Sequence, residues 1–173
     1  VSETLVVSLA VVTSLMTVNS VTSLLFSFIA GPVIDRLGRK WVMVISLVGN
    51  GACYIFMSMA DSLPAFIILM ALRGAFMPLY QVGSDAMMAD MLPPTKRSDG
   101  YSVLRMSNNL GIAMGPAIGG FITSSSYTLA FFIAASGLML YGLLLAFRAK
   151  ETLPNDVQPQ QLKERFGGYD QVF

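Results

Sequence analysis

The stretch that decides the fold class is residues 4–40, which read TLVVSLAVVTSLMTVNSVTSLLFSFIAGPVIDRLGRK. It carries no charge from position 4 to position 34 and then places four charged residues within 35–40. A helix needs about 20 apolar residues to cross a bilayer, and this run is long enough. We therefore predict a membrane-spanning helix that ends in a charged loop at the membrane surface.

The composition of the whole chain agrees with a membrane protein. Of its 173 residues, 54% are hydrophobic and only 12% are charged, and the mean hydropathy is +0.65. Soluble domains carry about 25% charged residues, so a water-soluble fold is excluded. A net charge of +1 gives no reason to expect nucleic-acid binding. The chain has no His and one Cys, Cys53, which excludes an internal disulfide and His-based catalysis. We expect no metal, no cofactor and no enzymatic activity.

Four further apolar runs follow the first one, at 41–60, 62–89, 101–122 and 127–147. The sequence thus predicts an all-α membrane protein with five transmembrane helices in a domain at 1–149. From position 150 the composition becomes polar, with prolines, glutamines and charges of both signs. We interpret 150–173 as a linker with a short surface helix at 160–166.

The basic residues between the spans lie on one side of the predicted membrane. Nine of the eleven Lys and Arg residues fall in segments 35–40, 93–99 and 148–173, and the opposite side has none. Cytoplasmic loops carry an excess of Lys and Arg, so these three segments are predicted to face the cytoplasm. The nine are Arg36, Arg39, Lys40, Lys96, Arg97, Arg148, Lys150, Lys163 and Arg165.

The loop after the first span has a specific pattern. Gly31 permits close helix approach, Gly38 permits a tight turn, and Asp35 and Arg39 have helical spacing for a pair. The simpler interpretation is an ordinary basic loop. However, the segment resembles the signature loop of the major facilitator superfamily, G-x-x-x-D-R-x-G-R-[KR]. All six fixed positions match: Gly31, Asp35, Arg36, Gly38, Arg39 and Lys40.

The fourth span contains a second pattern, G-x-x-x-G-P-x-x-G-G, over 111–120. Glycines four residues apart form a bare ridge on a helix, against which another helix can pack. A plain packing groove is the alternative interpretation. The full pattern is similar to a motif of the drug–proton antiporter branch of the same superfamily. Its residues here are Gly111, Gly115, Pro116, Gly119 and Gly120.

The resemblance implies that the five spans are helices two to six of a twelve-helix transporter, without the first helix and the second six-helix half. It also implies that the 31–40 loop is a conformational latch. In that latch Arg39 pairs with Asp90, and Asp35 faces the missing half. Asp90 and Arg97 match the family's acidic and basic residues around the next cytoplasmic turn. Arg73 matches an arginine that the family has inside its fourth helix.

Polar residues inside the spans are candidates for a substrate cavity, because burying them in a bilayer is costly. On the third span a stripe at helical spacing begins at Arg73, and on the fourth a stripe begins at Arg105. Hydrogen bonding between helices is the alternative role for the two asparagines of the fourth span. The cavity candidates are Asn19, Met77, Tyr80, Gln81, Asn108 and Asn109.

Asp85 and Arg105 are each ten residues from Thr95, the centre of the turn between the third and fourth spans. At about 1.5 Å per residue, they lie at one membrane depth, which favours an ion pair. The alternative is that Asp85 is protonated and carries the transported proton, while Arg105 faces an aqueous cavity alone.

The sequence therefore favours a proton-coupled antiporter that exports lipophilic, drug-like compounds by alternating access. A sugar or metabolite symporter or uniporter of the same superfamily is the alternative. An intramembrane enzyme and a purely structural membrane protein are less favoured, because His is absent and a scaffold needs no embedded charge. The expected partners are membrane lipid, protons, a small-molecule substrate and the missing half, in a bacterial cytoplasmic membrane.

Overall fold

The computed structural model describes residues 9–153, and every regular element in that range is a helix. The predicted all-α class is confirmed. Residues 1–8 and most of the predicted linker, including the helix expected at 160–166, lie outside the described range. A short 3₁₀ turn at Pro94–Lys96 precedes the fourth helix. The five long helices are α1 (Leu9–Leu37), α2 (Arg39–Met59), α3 (Leu63–Met91), α4 (Arg97–Ser125) and α5 (Tyr127–Arg148).

Helix α1 continues past the predicted end of its span at position 34. It includes Asp35 and Arg36 and ends at Leu37. Charged residues at a membrane surface end the embedded segment, but they do not break the backbone hydrogen bonding of the helix. The break comes at Gly38, whose φ of 93° lies in the region that favours glycine.

Helix α2 lies at the centre of the bundle and packs against both α3 and α5, while α1 packs along α3. The closest approach is at Gly74 of α3. A Cβ atom placed there would lie 2.4 Å from the carbonyl oxygen of Asn19 and 3.0 Å from Cβ of Thr22. Only a residue without a side chain lets the two backbones come this close.

Four of the described helices, α1, α2, α3 and α5, are long and apolar enough to cross a membrane. Helix α4 has the length, 29 residues, but its polar side chains lower its apolar character, and none of its residues is buried. Large apolar side chains point outward from the bundle, among them Phe28, Phe121 and Phe147. A surface of this kind suits contact with lipid.

The segments 35–40, 93–99 and 148–153 lie at one end of the bundle, which we call the basic end. Contacts of Arg39 with Asp90 and of Glu151 with the start of α2 bring this end together.

Candidate functional site

An ion pair joins two helices at the basic end. The guanidinium of Arg39, the first residue of α2, contacts the carboxylate of Asp90 near the end of α3. Its Nη1 also donates a hydrogen bond of 3.1 Å to the carbonyl oxygen of Ala86. The two paired side chains are 13% and 29% exposed, so water screens the pair only partly. The pairing that the family resemblance implied is confirmed.

The two glycines of the loop differ in their surroundings. Gly38 makes the tight turn that the sequence predicted, with its positive φ. No other helix among the described residues approaches Gly31: apart from its own helix backbone and chain neighbours, nothing lies within 4 Å of a Cβ placed there. Helix α1 meets α3 at Gly74 of α3, and the close approach at Gly31 stays a prediction.

The remaining charges of the loop do not pair as expected from helical spacing. Within residues 9–153, Arg39 pairs with Asp90 and not with Asp35, because Gly38 breaks the helix between the two. Arg36 is exposed, and Asp35 is half-buried. The Nζ atom of Lys40 lies 5.0 Å from the ring centre of the neighbouring Trp41.

Arg97 occupies the next turn at the basic end. Its Nε donates to the carbonyl oxygen of Leu92 over 3.3 Å. It therefore holds the turn between α3 and α4, while Asp90 is engaged by Arg39.

A residue that the sequence did not single out, Glu151, completes the basic end. Its carboxylate accepts hydrogen bonds from the backbone N–H groups of Arg39 and Lys40, at 2.9 Å and 3.1 Å. Partial burial works to raise the pKa of Glu151, but hydrogen bonds from four backbone N–H groups outweigh it and lower the pKa. One sequence feature could have identified Glu151: it is an acidic residue just after the last span, on the same predicted side of the membrane as the loop.

Arg73 lies within the bilayer part of α3 and stacks on an aromatic ring. Its guanidinium carbon is 4.3 Å from the ring centre of Tyr54 on α2. One terminal nitrogen lies 3.9 Å from the sulfur of Met70, and Nε is buried without a hydrogen-bond partner. A cation over an aromatic face is stabilised by the ring quadrupole, so this contact holds the guanidinium of Arg73 against α2.

The residues of the polar stripe predicted on α3 have different environments: one contacts α5, and others are exposed. The hydroxyl of Tyr80 lies 3.1 Å from the hydroxyl of Tyr141 on α5, and the two rings meet edge to face. Its place in a substrate cavity stays a prediction. Met77 and Gln81 are exposed. They remain candidates for contact with a substrate.

Asn19 contacts a neighbouring helix, and its place in a substrate cavity stays a prediction. Its Nδ2 donates a hydrogen bond of 3.0 Å to the carbonyl oxygen of Met70 on α3. The Asn19 side chain thus forms a hydrogen bond between α1 and α3.

The expected ion pair between Asp85 and Arg105 was wrong. The two side chains line one groove of about 510 Å³ between α3 and α4, which agrees with the prediction that they lie at one membrane depth. They form no salt bridge among the described residues. The Tyr101 hydroxyl donates to the backbone carbonyl of Asp85 over 2.9 Å. The tyrosine therefore bridges the helices here, and the two charges border the groove beside it.

The glycine ridge of α4 has no neighbour within the described residues. Apart from the chain neighbours and the backbone of α4 itself, no atom of residues 9–153 comes within 4 Å of a Cβ placed at Gly111, Gly115, Gly119 or Gly120. Asn108 and Asn109 are exposed as well. The side of α4 that carries the antiporter pattern is therefore open.

A family model for the Major Facilitator Superfamily matches residues 1–167 of the chain. The chain belongs to the Major Facilitator Superfamily. Both sequence patterns that resembled this family therefore occur in one of its members, and the Arg39–Asp90 pair is part of the basic end of a superfamily helix bundle.

Similar proteins of this superfamily are bacterial. The chain is 34% identical over 158 residues to multidrug resistance protein MdtG of Escherichia fergusonii, with 86% of this chain and 36% of that protein covered. It is 30% identical over 133 residues to the MFS-type transporter YqjV of Bacillus subtilis, with 77% and 32% covered. The chain spans about a third of the length of these superfamily relatives.

A solved structure has a similar fold. The peptide transporter POT, crystallised with sulfate, matches 90% of this chain and 34% of its own chain, with a TM-score of 0.72 and 22% sequence identity. This similarity supports the helical fold. The family match and the apolar helices identify a multi-pass membrane protein.

Proposed function

We propose that this superfamily chain forms part of a proton-coupled antiporter that exports lipophilic compounds by alternating access. The observation that carries the proposal is the open ridge of α4, which has the pattern of the drug–proton antiporter branch and no partner within residues 9–153. The similarity to MdtG and to multidrug resistance protein 1 of Bacillus subtilis, 28% identical over 156 residues, supports the same substrate class.

The basic end acts as the latch in this proposal. With 35–40, 93–99 and 148–173 in the cytoplasm, Arg39 and Asp90 hold α2 to α3 on the cytoplasmic side. Asp35 is left to contact the second six-helix half. The latch closes that side while the transporter is open outward, and binding occurs near the membrane midplane.

Asp85 is the proposed proton carrier. It is exposed in the groove beside Arg105 and has no salt bridge among the described residues, so no ion pair occupies its carboxylate. The exposed Met77, Gln81, Asn108 and Asn109 offer both apolar and polar contacts to a substrate.

A second candidate is the exchange of alkali cations for protons. A Na⁺, Li⁺, K⁺/H⁺ antiporter of Planococcus maritimus is 30% identical over 149 residues, with 83% of this chain covered. An exposed intramembrane carboxylate such as Asp85 is an oxygen ligand that such an ion could use.

Inside-out vesicles that carry the product of the complete coding sequence would separate these functions. An imposed proton gradient should drive accumulation of ethidium, a lipophilic cation, and Asp35→Asn should reduce the rate while insertion stays normal. Asp99→Asn, which removes an exposed carboxylate at the same end, is the matched control. Proton-driven sodium movement without ethidium movement would favour cation exchange, and movement of neither would refute the antiport proposal.

A further inference from the structure

The residue at the N-cap of α2 has no side chain that could cap the helix. The first N–H groups of a helix have no partner within the helix and are usually satisfied by a polar side chain at the N-cap. Here the N-cap residue is Gly38, which has no side chain to offer. The first-turn donors of α2 must therefore find an acceptor elsewhere.

Glu151 supplies that acceptor from more than a hundred residues further along the chain. Its Oε1 accepts from the N–H of Arg39, and its Oε2 accepts from the N–H of Lys40. Oε1 also accepts from the N–H groups of Thr152 and Leu153, at 3.0 Å and 3.1 Å. One carboxylate thus binds the start of α2 to the segment that follows α5.

Gly38 makes room for this contact. A Cβ placed at Gly38 would lie 2.7 Å from Oε2 of Glu151. The glycine therefore has two roles here: it adopts the positive φ of the turn, and it lets the carboxylate approach the helix end. A negative charge is also favoured there by the helix dipole.

We propose that Glu151 is a positioning residue that presents Arg39 to Asp90. Arg39 donates its backbone N–H to Glu151 and its guanidinium to Asp90, so the cap fixes the backbone of the residue that makes the ion pair. The start of α2, the end of α3 and the segment after α5 are thereby held as one unit. The importance of Glu151 for the latch rests on the proposed function, whereas its hydrogen bonds to the N-terminus of α2 do not.

Hydrogen exchange at the amides of Arg39 and Lys40 tests the cap in the purified 173-residue chain in detergent. Glu151→Gln keeps the shape and one acceptor oxygen but loses the charge, and Glu151→Ala loses both acceptors. We expect exchange at these two amides to become roughly fivefold to tenfold faster in the alanine variant and to change less in the glutamine variant. Asp99→Asn, at the same end, should leave them unchanged. If hydrogen exchange at these two amides is unchanged in both Glu151 variants, Glu151 does not cap α2.

A double-mutant cycle tests the positioning role. If Glu151 acts through Arg39, the loss of thermal stability caused by Glu151→Ala should shrink when Asp90→Asn is already present. Fully additive effects would overturn the positioning role. Both experiments measure folding and exchange, so their results remain distinguishable from a failure of the transport assay.

Discussion

Asp90 lies near the end of α3, and its carboxylate pairs with Arg39, 51 residues earlier in the chain at the first position of α2. The pair bridges two helices that also pack along their lengths. Since Arg39 follows the Gly38 turn directly, the loop between α1 and α2 is fixed to the end of α3. A movement of the loop therefore requires that this pair be broken.

Replacing Asp90 by Asn should destabilise the bundle. The guanidinium of Arg39 would keep a hydrogen-bonding partner but lose its countercharge in a half-buried position. We expect the free energy of unfolding in detergent to fall by about 1–3 kcal/mol. Asp99→Asn should change it by less than about 0.5 kcal/mol, because that carboxylate is exposed. Equal stability of the two variants would show that the pair contributes little.

Two glycine-to-alanine changes should have opposite effects. Gly74→Ala places a Cβ against the backbone of Asn19 and should cost about 1–3 kcal/mol of unfolding free energy. Gly115→Ala meets no atom of another described helix within 4 Å and should be neutral or stabilise by about 0.5–1 kcal/mol, because alanine favours a helix. Thermal unfolding of the purified chain measures both. If Gly74→Ala proved as stable as Gly115→Ala, the close contact between α1 and α3 would be wrong.

The hydrogen bond between Tyr80 and Tyr141 should appear as coupling between two phenylalanine variants. Each of Tyr80→Phe and Tyr141→Phe should lower the unfolding free energy by about 0.5–1.5 kcal/mol. The double variant should lose little more than either single one, because the same bond is removed in all three. Full additivity would show that the two hydroxyls are not hydrogen-bonded to each other.

Acid should weaken the basic end through Glu151. The pKa of this carboxyl is lowered in the folded chain, so its contribution to stability is complete above the ordinary glutamate pKa of about 4.3. That contribution is lost as the pH falls through the lowered folded value. The melting temperature of the unmodified chain should therefore approach that of Glu151→Gln as the pH falls below the ordinary glutamate pKa. A constant difference between the two across the acid range would contradict this assignment.

Much of the fold was predictable because hydropathy and turn residues act locally. The run at 41–60 corresponds to α2 at Arg39–Met59, and the run at 127–147 corresponds to α5 at Tyr127–Arg148. The ion pair of Arg39 with Asp90 was also predictable, since the resemblance placed both residues at one end. The predicted end of α1 was three residues early, because a charge stops the apolar run before the helix stops.

The orientation of polar side chains was not predictable from one sequence. Helical spacing gives the angle between residues on one helix, but the rotation of that helix depends on close contacts such as Gly74 with Asn19. Asn19 and Tyr80 therefore contact neighbouring helices, and Asp85 borders a groove beside Arg105 without pairing. Glu151 caps α2 from a segment that, by composition, reads as a plain linker.

The polarity of α4 affects how the chain enters the bilayer during synthesis. A charged residue such as Arg105 within a span is costly, about 2.5–3.5 kcal/mol at a helix centre on insertion scales. Helix α4 is not among the described helices that are apolar enough to cross a membrane. Only Ser126 separates α4 from the apolar α5, whose first turn it caps by accepting the N–H of Leu129. We expect the two helices to integrate together as a hairpin. A nascent chain cut after Ser125 should leave α4 outside the membrane, and one that extends to Arg148 should draw it in.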